Sequence, residues 1–274
     1  QPFYHIANGF ETRDKWWVAY EAKRLKPMAE RLKLISEDGS GLIFRPFHEA
    51  DGDWFWWGLR WLEGDLPLNG KEALMKVFVE TARYLKQELP GLLIAFSTDK
   101  LGYVSHANAK DDQEIANRYL DEYITFLPKD PADLALIDIY GMDLYTSKEN
   151  PSESLNQFRI KLQGLSLLAK QHDKIAAITE AGNRGIPSEE DGRQPSINWY
   201  SDYLFSWISD KNINVAFVVI WQNWSNNRDQ TALDPADGYF VPIYRNSQSG
   251  KDFIKYVAQE QSIMLRQFKL VSIH

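Results

Sequence analysis

The chain has 274 residues, 38 acidic against 31 basic, a formal net charge of −7 and no cysteine. Disulfides, thiolate metal sites, iron–sulfur clusters and cysteine nucleophiles are excluded outright. An acidic chain without a Lys/Arg cluster has no face on which to release counterions from phosphate, which argues against a nucleic-acid partner.

The first pattern is helical. Thr12 stands where a cap would precede a stripe of Trp17, Tyr20, Leu25, Met28, Leu32 and Ile35, at steps close to three and four residues. Phe3–Ala7, ahead of it, reads as the remnant of a strand–helix unit. Five apolar runs then recur: Leu42–Phe47, Leu92–Ser97, Leu134–Tyr140, Lys174–Thr179 and Val215–Trp221. Nearly continuous in Val, Ile, Leu and Phe, they predict parallel strands buried on both faces. Their starts lie 50, 42, 40 and 41 residues apart, which is strand–helix spacing and too long for hairpins. Between them, Leu74, Val77, Phe78, Ala82 and Leu85 form one helical stripe, and Leu155, Phe158, Leu162, Leu165 and Leu168 another. Asn198–Ile208 and Lys251–Gln259 are shorter helical candidates, and Asp111, Asp112 and Glu114 read as the acidic start of a helix.

Alternating strands and helices predict an α/β fold. Polar and aromatic residues gather at the strand ends, and there is neither GxGxxG nor a Walker A motif. A (β/α)8 TIM barrel is therefore expected over a doubly wound nucleotide-binding sheet. Five strands are fewer than eight, so the first three βα units are expected to be absent. Residues 1–274 then form one barrel domain, its C-terminal five βα units. No apolar run approaches the roughly 20 residues of a membrane span. The opening on Gln1, with no basic-then-apolar leader, fits a processed chain or a fragment.

Ten tryptophans and 14% aromatics suggest flat apolar surfaces for sugar rings as well as core packing. Four segments at strand ends carry candidate chemistry. In FRPFHEADGDWFWWG (44–58), His48 and Glu49 sit at the strand terminus, followed by Trp54, Trp56 and Trp57. The plainer reading of this segment pairs Arg45 with Glu49 and leaves the indoles in the core. In ITEAGNRG (178–185), Glu180 follows an apolar run and precedes small residues. In DIYGMDLYT (138–146), Asp143 and Tyr145 fall just past the expected strand, and Tyr145 is placed to donate to Glu180. In WQNW (221–224), Trp221 offers a stacking platform, while Gln222 and Asn223 offer hydrogen bonds to hydroxyls.

Two carboxyls meeting across a barrel mouth suit glycoside hydrolysis, in which one is protonated and the other ionised. Aromatic surroundings raise a carboxyl pKa, so Glu49 is assigned acid/base and Glu180 nucleophile. The five histidines (His5, His48, His106, His172 and His274) show no metal-ligand spacing, and no GxSxG is present. No metal or other cofactor is expected. The acidic stretch Asp229–Asp237 is a minor candidate for calcium.

These motifs together resemble glycoside hydrolase family 26, mostly endo-β-1,4-mannanases, over about residues 12 to 260. RPFHEADGDWFWWG is similar to the family's acid/base signature and ITEAGNRG to its nucleophile segment. The resemblance implies a retaining barrel with Glu49 closing the fourth strand and Glu180 the seventh. His48, Trp54, Tyr145, Trp221 and Gln222 would contact substrate or order the site. Gln222 stands where the family carries an arginine. The implied partner is β-mannan polysaccharide or manno-oligosaccharide, met by a monomer that is secreted, surface-bound or periplasmic. β-1,3-Xylanase or mixed-linkage glucanase activity, or glycan binding without catalysis, are the alternatives.

Overall fold

A computed structural model describes residues 2–37, 39–59, 70–103, 108–146, 152–183, 198–221, 241–242 and 245–259. Helix α1 (Pro2–Thr12) leads into α2 (Lys15–Tyr20), a π-helical turn (Glu21–Leu25) and α3 (Lys26–Ile35). Strand β1 (Ile43–Phe44) and helix α4 (Gly70–Glu88) follow. Next come β2 (Leu93–Thr98), α5 (Lys100–Tyr103), α6 (Asp112–Ile124), α7 (Pro131–Leu134) and β3 (Ile139–Thr146). The chain continues through α8 (Ser152–Gln171), β4 (Ile175–Asn183), a second π-turn (Tyr200–Leu204), α9 (Phe205–Ile208), β5 (Val215–Ile220) and α10 (Gln248–Val257).

All pairings among the five strands are parallel, in the order β1-β2-β3-β4-β5. A doubly wound sheet reverses its strand order at a switch point, whereas strands added one after another in one direction build a barrel wall. The fold is thus part of a (β/α)8 barrel. The larger core lies between the outer face of the wall and the helices. It holds the whole predicted stripe of α4 and the whole predicted stripe of α8, together with Ile94, Phe96, Tyr140, Met142, Leu144 and Ile178. Ala95, Ile139 and Ala177, with Phe217 against them, form a separate small cluster on the opposite, inner face.

Several boundaries differ from the sequence expectation. Thr12 ends α1, and the cap of the next helix is Asp14, whose Oδ1 accepts from the N–H groups of Trp16 (2.8 Å) and Trp17 (3.1 Å). Phe3–Ala7 is helical, inside α1, and not a strand remnant. Phe3 and Phe47 meet edge to face at 5.2 Å, so this helix packs against the 44–58 segment. The third strand begins at Ile139: Leu134 belongs to α7, which Asp130 caps with Pro131 in its first turn. Local capping there outcompetes the apolar run as a signal. Asp111 caps α6 by accepting from the Glu114 N–H at 2.9 Å, in line with the acidic start read from sequence.

Leu162 is fully buried on α8 against the wall. Leu162→Ala should cost about 2–5 kcal/mol, seen as a lower urea midpoint with an unchanged slope.

Candidate active site

The site forms where the inner face of β3 and β4 reaches the strand ends. Along β4, alternation places Ala177 inward and Ile178 outward. The β3–β4 register then slips: Met142 pairs with Ile178, but Asp143 pairs with Glu180. Thr179 is the extra residue of a β-bulge, and bulges re-aim side chains. Thr179 donates to Asp143 Oδ1 (2.5 Å) and Glu180 meets the same inner network, while Ala181 joins the outer core. Two consecutive residues therefore serve one face. Gly141 makes room for this: a Cβ there would lie 2.5 Å from Thr179 Cγ2 and 2.8 Å from Ser97 Cβ.

Asp143 and Tyr145 were expected past the end of their strand, and Glu180 directly after its own. All three lie within the extended strands β3 and β4 and are buried. A ladder holds them, so their spacing is that of a sheet rather than of a loop. Tyr145 donates its hydroxyl to Glu180 Oε2 at 2.5 Å. Burial, then the hydrogen bond to Glu180, pushes the tyrosine pKa far up, so it remains a neutral donor.

Arg45 does not pair with Glu49. Its Nη1 donates to both Asp143 oxygens (3.0 and 2.8 Å) and to Ser97 Oγ (2.8 Å), and its Nη2 donates to Glu180 Oε1. Burial opposes its charge, but Asp143 and Glu180 outweigh that and hold it protonated. A charged residue inside the apolar run LIFRPF was the available signal, because a buried cation needs a buried counter-charge. Its partners, on β3 and β4, were not visible locally.

Glu49 lies in the loop after β1 with φ of 53°, and Phe47 has φ of 50°. Left-handed backbone at non-glycine residues costs roughly 1–3 kcal/mol and persists where surrounding structure enforces it. Here the Glu49 N–H donates to Ser97 O (3.3 Å), and Glu49 O accepts from the Gly52 N–H (3.0 Å). Trp54 Nε1 donates to Glu49 Oε2 at 2.6 Å while about half of the residue stays exposed. Trp57 is instead an anchor: its Nε1 donates to His48 O (2.9 Å) and its ring stacks on Phe55 at 4.4 Å. Trp56 packs edge-on against Phe3 at 5.6 Å. The three neighbouring indoles thus have three different tasks.

One oxygen from each of Glu49, Asp143 and Glu180 lies within 4.8 Å of the others. Three carboxyls this close could serve a cation, but Arg45 already sits against two of them. One guanidinium does not neutralise three buried carboxylates, so the cluster favours retaining a proton. Burial raises the Glu49 pKa, opposed by the Trp54 hydrogen bond and reinforced by Glu180. Burial likewise raises that of Asp143, against the pull of Arg45.

His48 faces Phe55 (4.7 Å) and Trp57 (5.8 Å). Burial first, and Arg45 second, lower its pKa from 6.5 to about 4, so the imidazole is neutral at ordinary pH. Trp221 is half-buried, its backbone N–H held by Ala181 O at 2.9 Å. Gln222 and Asn223, like His106, His274 and the Asp229–Asp237 stretch, fall outside the described residues.

Two outcomes follow. A Cβ on Gly52 would lie 2.5 Å from the Trp54 ring, so Gly52→Ala should displace the indole and move the Trp54 Nε1–H resonance to the position of a water-exposed indole. The neutral His48 of the folded state resists protonation, so an unfolded chain gains a proton that the folded one refuses. Stability should fall as pH drops from 6.5 towards about 4, and His48→Gln should flatten that part of a thermal-denaturation pH profile.

Comparison with known proteins places the chain. A mannan endo-1,4-beta-mannosidase from Bifidobacterium adolescentis is 26% identical over 249 residues, covering 86% of this chain and 23% of that protein. The structure of GH26C from Muricauda sp. superposes with a TM-score of 0.64 at 26% identity, over 91% of this chain and 58% of that one. A modular endo-beta-1,4-mannanase from Cellulomonas fimi shares the fold, with a TM-score of 0.66 at 22% identity, over 92% of this chain and 49% of that one. The chain therefore spans less than two thirds of the length of each of these relatives. Residues 14–236 match the Glycosyl hydrolase family 26 profile, and the chain belongs to that family.

Proposed function

We propose that the chain carries the catalytic pair of a retaining β-1,4-mannan hydrolase, as the C-terminal five βα units of its barrel. The observation that carries this reading is the approach of Glu49 and Glu180 oxygens to within 4.8 Å in unequal surroundings. Retaining glycosidases hold their carboxyls about 5–5.5 Å apart, whereas inverting ones leave about 6.5–9.5 Å for a water. The names of the relatives, mannan endo-1,4-beta-mannosidases, support mannan, glucomannan or galactomannan as substrate.

Glu180 is ordered by Tyr145 and Arg45, one on each carboxylate oxygen, which aim it as the nucleophile. It attacks the anomeric carbon as the bond to the leaving oxygen breaks. Glu49, its pKa raised by burial, gives its proton to that oxygen. A water then enters. Glu49 takes one of its protons, the hydroxyl attacks the anomeric carbon, and the Glu180 carboxylate leaves. Two inversions give net retention. The exposed face of Trp54 and the indole of Trp221 stack on sugar rings, with neutral His48 and Gln222 as hydrogen-bonding groups. A substrate too large to cross a membrane calls for action outside the cytoplasm.

Glu180→Ala should abolish release of reducing ends from mannan. Glu49→Ala should lower it by about 10²–10⁴-fold while sparing first-turnover release of a dinitrophenyl group, which needs no proton. Wild-type rate should fall as pH rises through the elevated Glu49 pKa, and proton NMR should show the β-anomer formed first. A panel with β-1,3-xylan and mixed-linkage glucan sets the substrate. Full activity in Glu180→Ala, or glycan binding without new reducing ends, would overturn the reading.

A further inference from the structure

The loop that carries Glu49 holds a second buried carboxylate that the proposed reaction does not use. Asp51 is 7% exposed. Its Oδ1 accepts from the Asp99 N–H (3.0 Å) and its Oδ2 from the Leu101 N–H (2.8 Å), across 48 and 50 residues of sequence. Both donors belong to the turn that leaves β2 and enters α5. The carboxylate therefore ties the loop after β1 to the end of β2, two residues beyond Glu49. The Glu49 N–H makes a parallel tie to Ser97 O on the same strand.

On the far side of that turn lies a buried cation. Lys161 of α8 is fully enclosed, and its Nζ donates to Gly102 O (2.9 Å) and Leu101 O (3.4 Å). The four-residue α5 is thus gripped at its N–H end by an anion and at its carbonyl end by a cation. Both charges complement the dipole of the turn. Burial raises the Asp51 pKa against the pull of its backbone donors, and it lowers that of Lys161 to about 8. Two enclosed ionisable groups on either side of one short turn are expensive to keep for packing alone.

We propose that Asp51 is a positioning residue for Glu49, with Lys161 bracing the same turn from behind. Resting on the acid/base reading of Glu49, this adds a reason why its left-handed backbone holds: the loop is clamped to β2 at residues 49 and 51. A carboxylate accepts from two N–H groups at once, whereas an amide of the same shape accepts through one oxygen only. Asp51→Asn therefore loosens the clamp with little change in volume.

The test uses Asp51→Asn and Lys161→Met, with Asp51→Ala as the harsher variant and thermal melts to confirm folding. Displacing a general acid by about an ångström costs on the order of 10²-fold. Asp51→Asn should lower kcat on mannan about tenfold to a hundredfold, with KM within about twofold. First-turnover release of dinitrophenol from an activated mannoside should stay near wild type, because it bypasses the acid. Independently of turnover, the Trp54 Nε1–H resonance reports on Glu49 through their hydrogen bond. Its pH midpoint should fall in both Asp51→Asn and Lys161→Met, because a loosened loop lets water reach the buried carboxyl; loss of the Lys161 charge alone would raise it. Parallel losses on both substrates, or an unmoved Trp54 midpoint in both variants, would overturn the proposal. If the wild-type chain hydrolyses neither substrate, the hydrolase reading fails, and the Trp54 titration still decides whether Asp51 sets the surroundings of Glu49.

Discussion

The guanidinium of Arg45 touches the end of β2 through Ser97, β3 through Asp143 and β4 through Glu180. Without it, Asp143 and Glu180 would face each other in a poorly solvated strand end with no counter-charge, and repulsion would push the strands apart. With it, both Glu180 oxygens are held, one by Arg45 and one by Tyr145, and Asp143 becomes the strut that holds the arginine. A buried pair of this kind is weak evidence for stability, because desolvation offsets most of the attraction. Its better-supported consequence is geometric: it fixes where three strand ends stand relative to one another.

The β-bulge at Thr179 makes that geometry available. Strict alternation would send Glu180 outward into the helix layer, where Ile178 and Ala181 belong. One inserted residue reverses its direction and lets Thr179 serve Asp143 at the same time. Glycine at 141 is the matching requirement on the neighbouring strand, since any side chain there would meet Thr179 and Ser97.

The aromatic loop shows how composition overstates uniformity. Ten tryptophans suggest a sugar-binding wall, yet Trp57 anchors a backbone carbonyl, Trp17 is core, and Trp56, though half exposed, meets Phe3 of the first helix edge-on. Trp54 differs because its ring nitrogen serves Glu49 while part of its ring remains open to solvent. Electrostatics and stacking meet in that one side chain.

The parallel strands, the helix stripes and the approach of Glu49 to Glu180 were legible from the amino-acid sequence. Apolar periodicity and residue choice at strand ends are properties of short windows. Tyr145 could likewise be matched to Glu180, because both stand near the ends of neighbouring strands. The start of β3 and the Asp14 cap follow from local capping that the apolar pattern masked, whereas the left-handed backbone at Glu49 and the partners of Arg45 were decided by tertiary structure. The arginine meets its two carboxylates across 98 and 135 residues, and a bulge in the ladder between β3 and β4 determines which face Glu180 serves. Such pairings depend on register and on the burial of charge, which no local window of sequence contains.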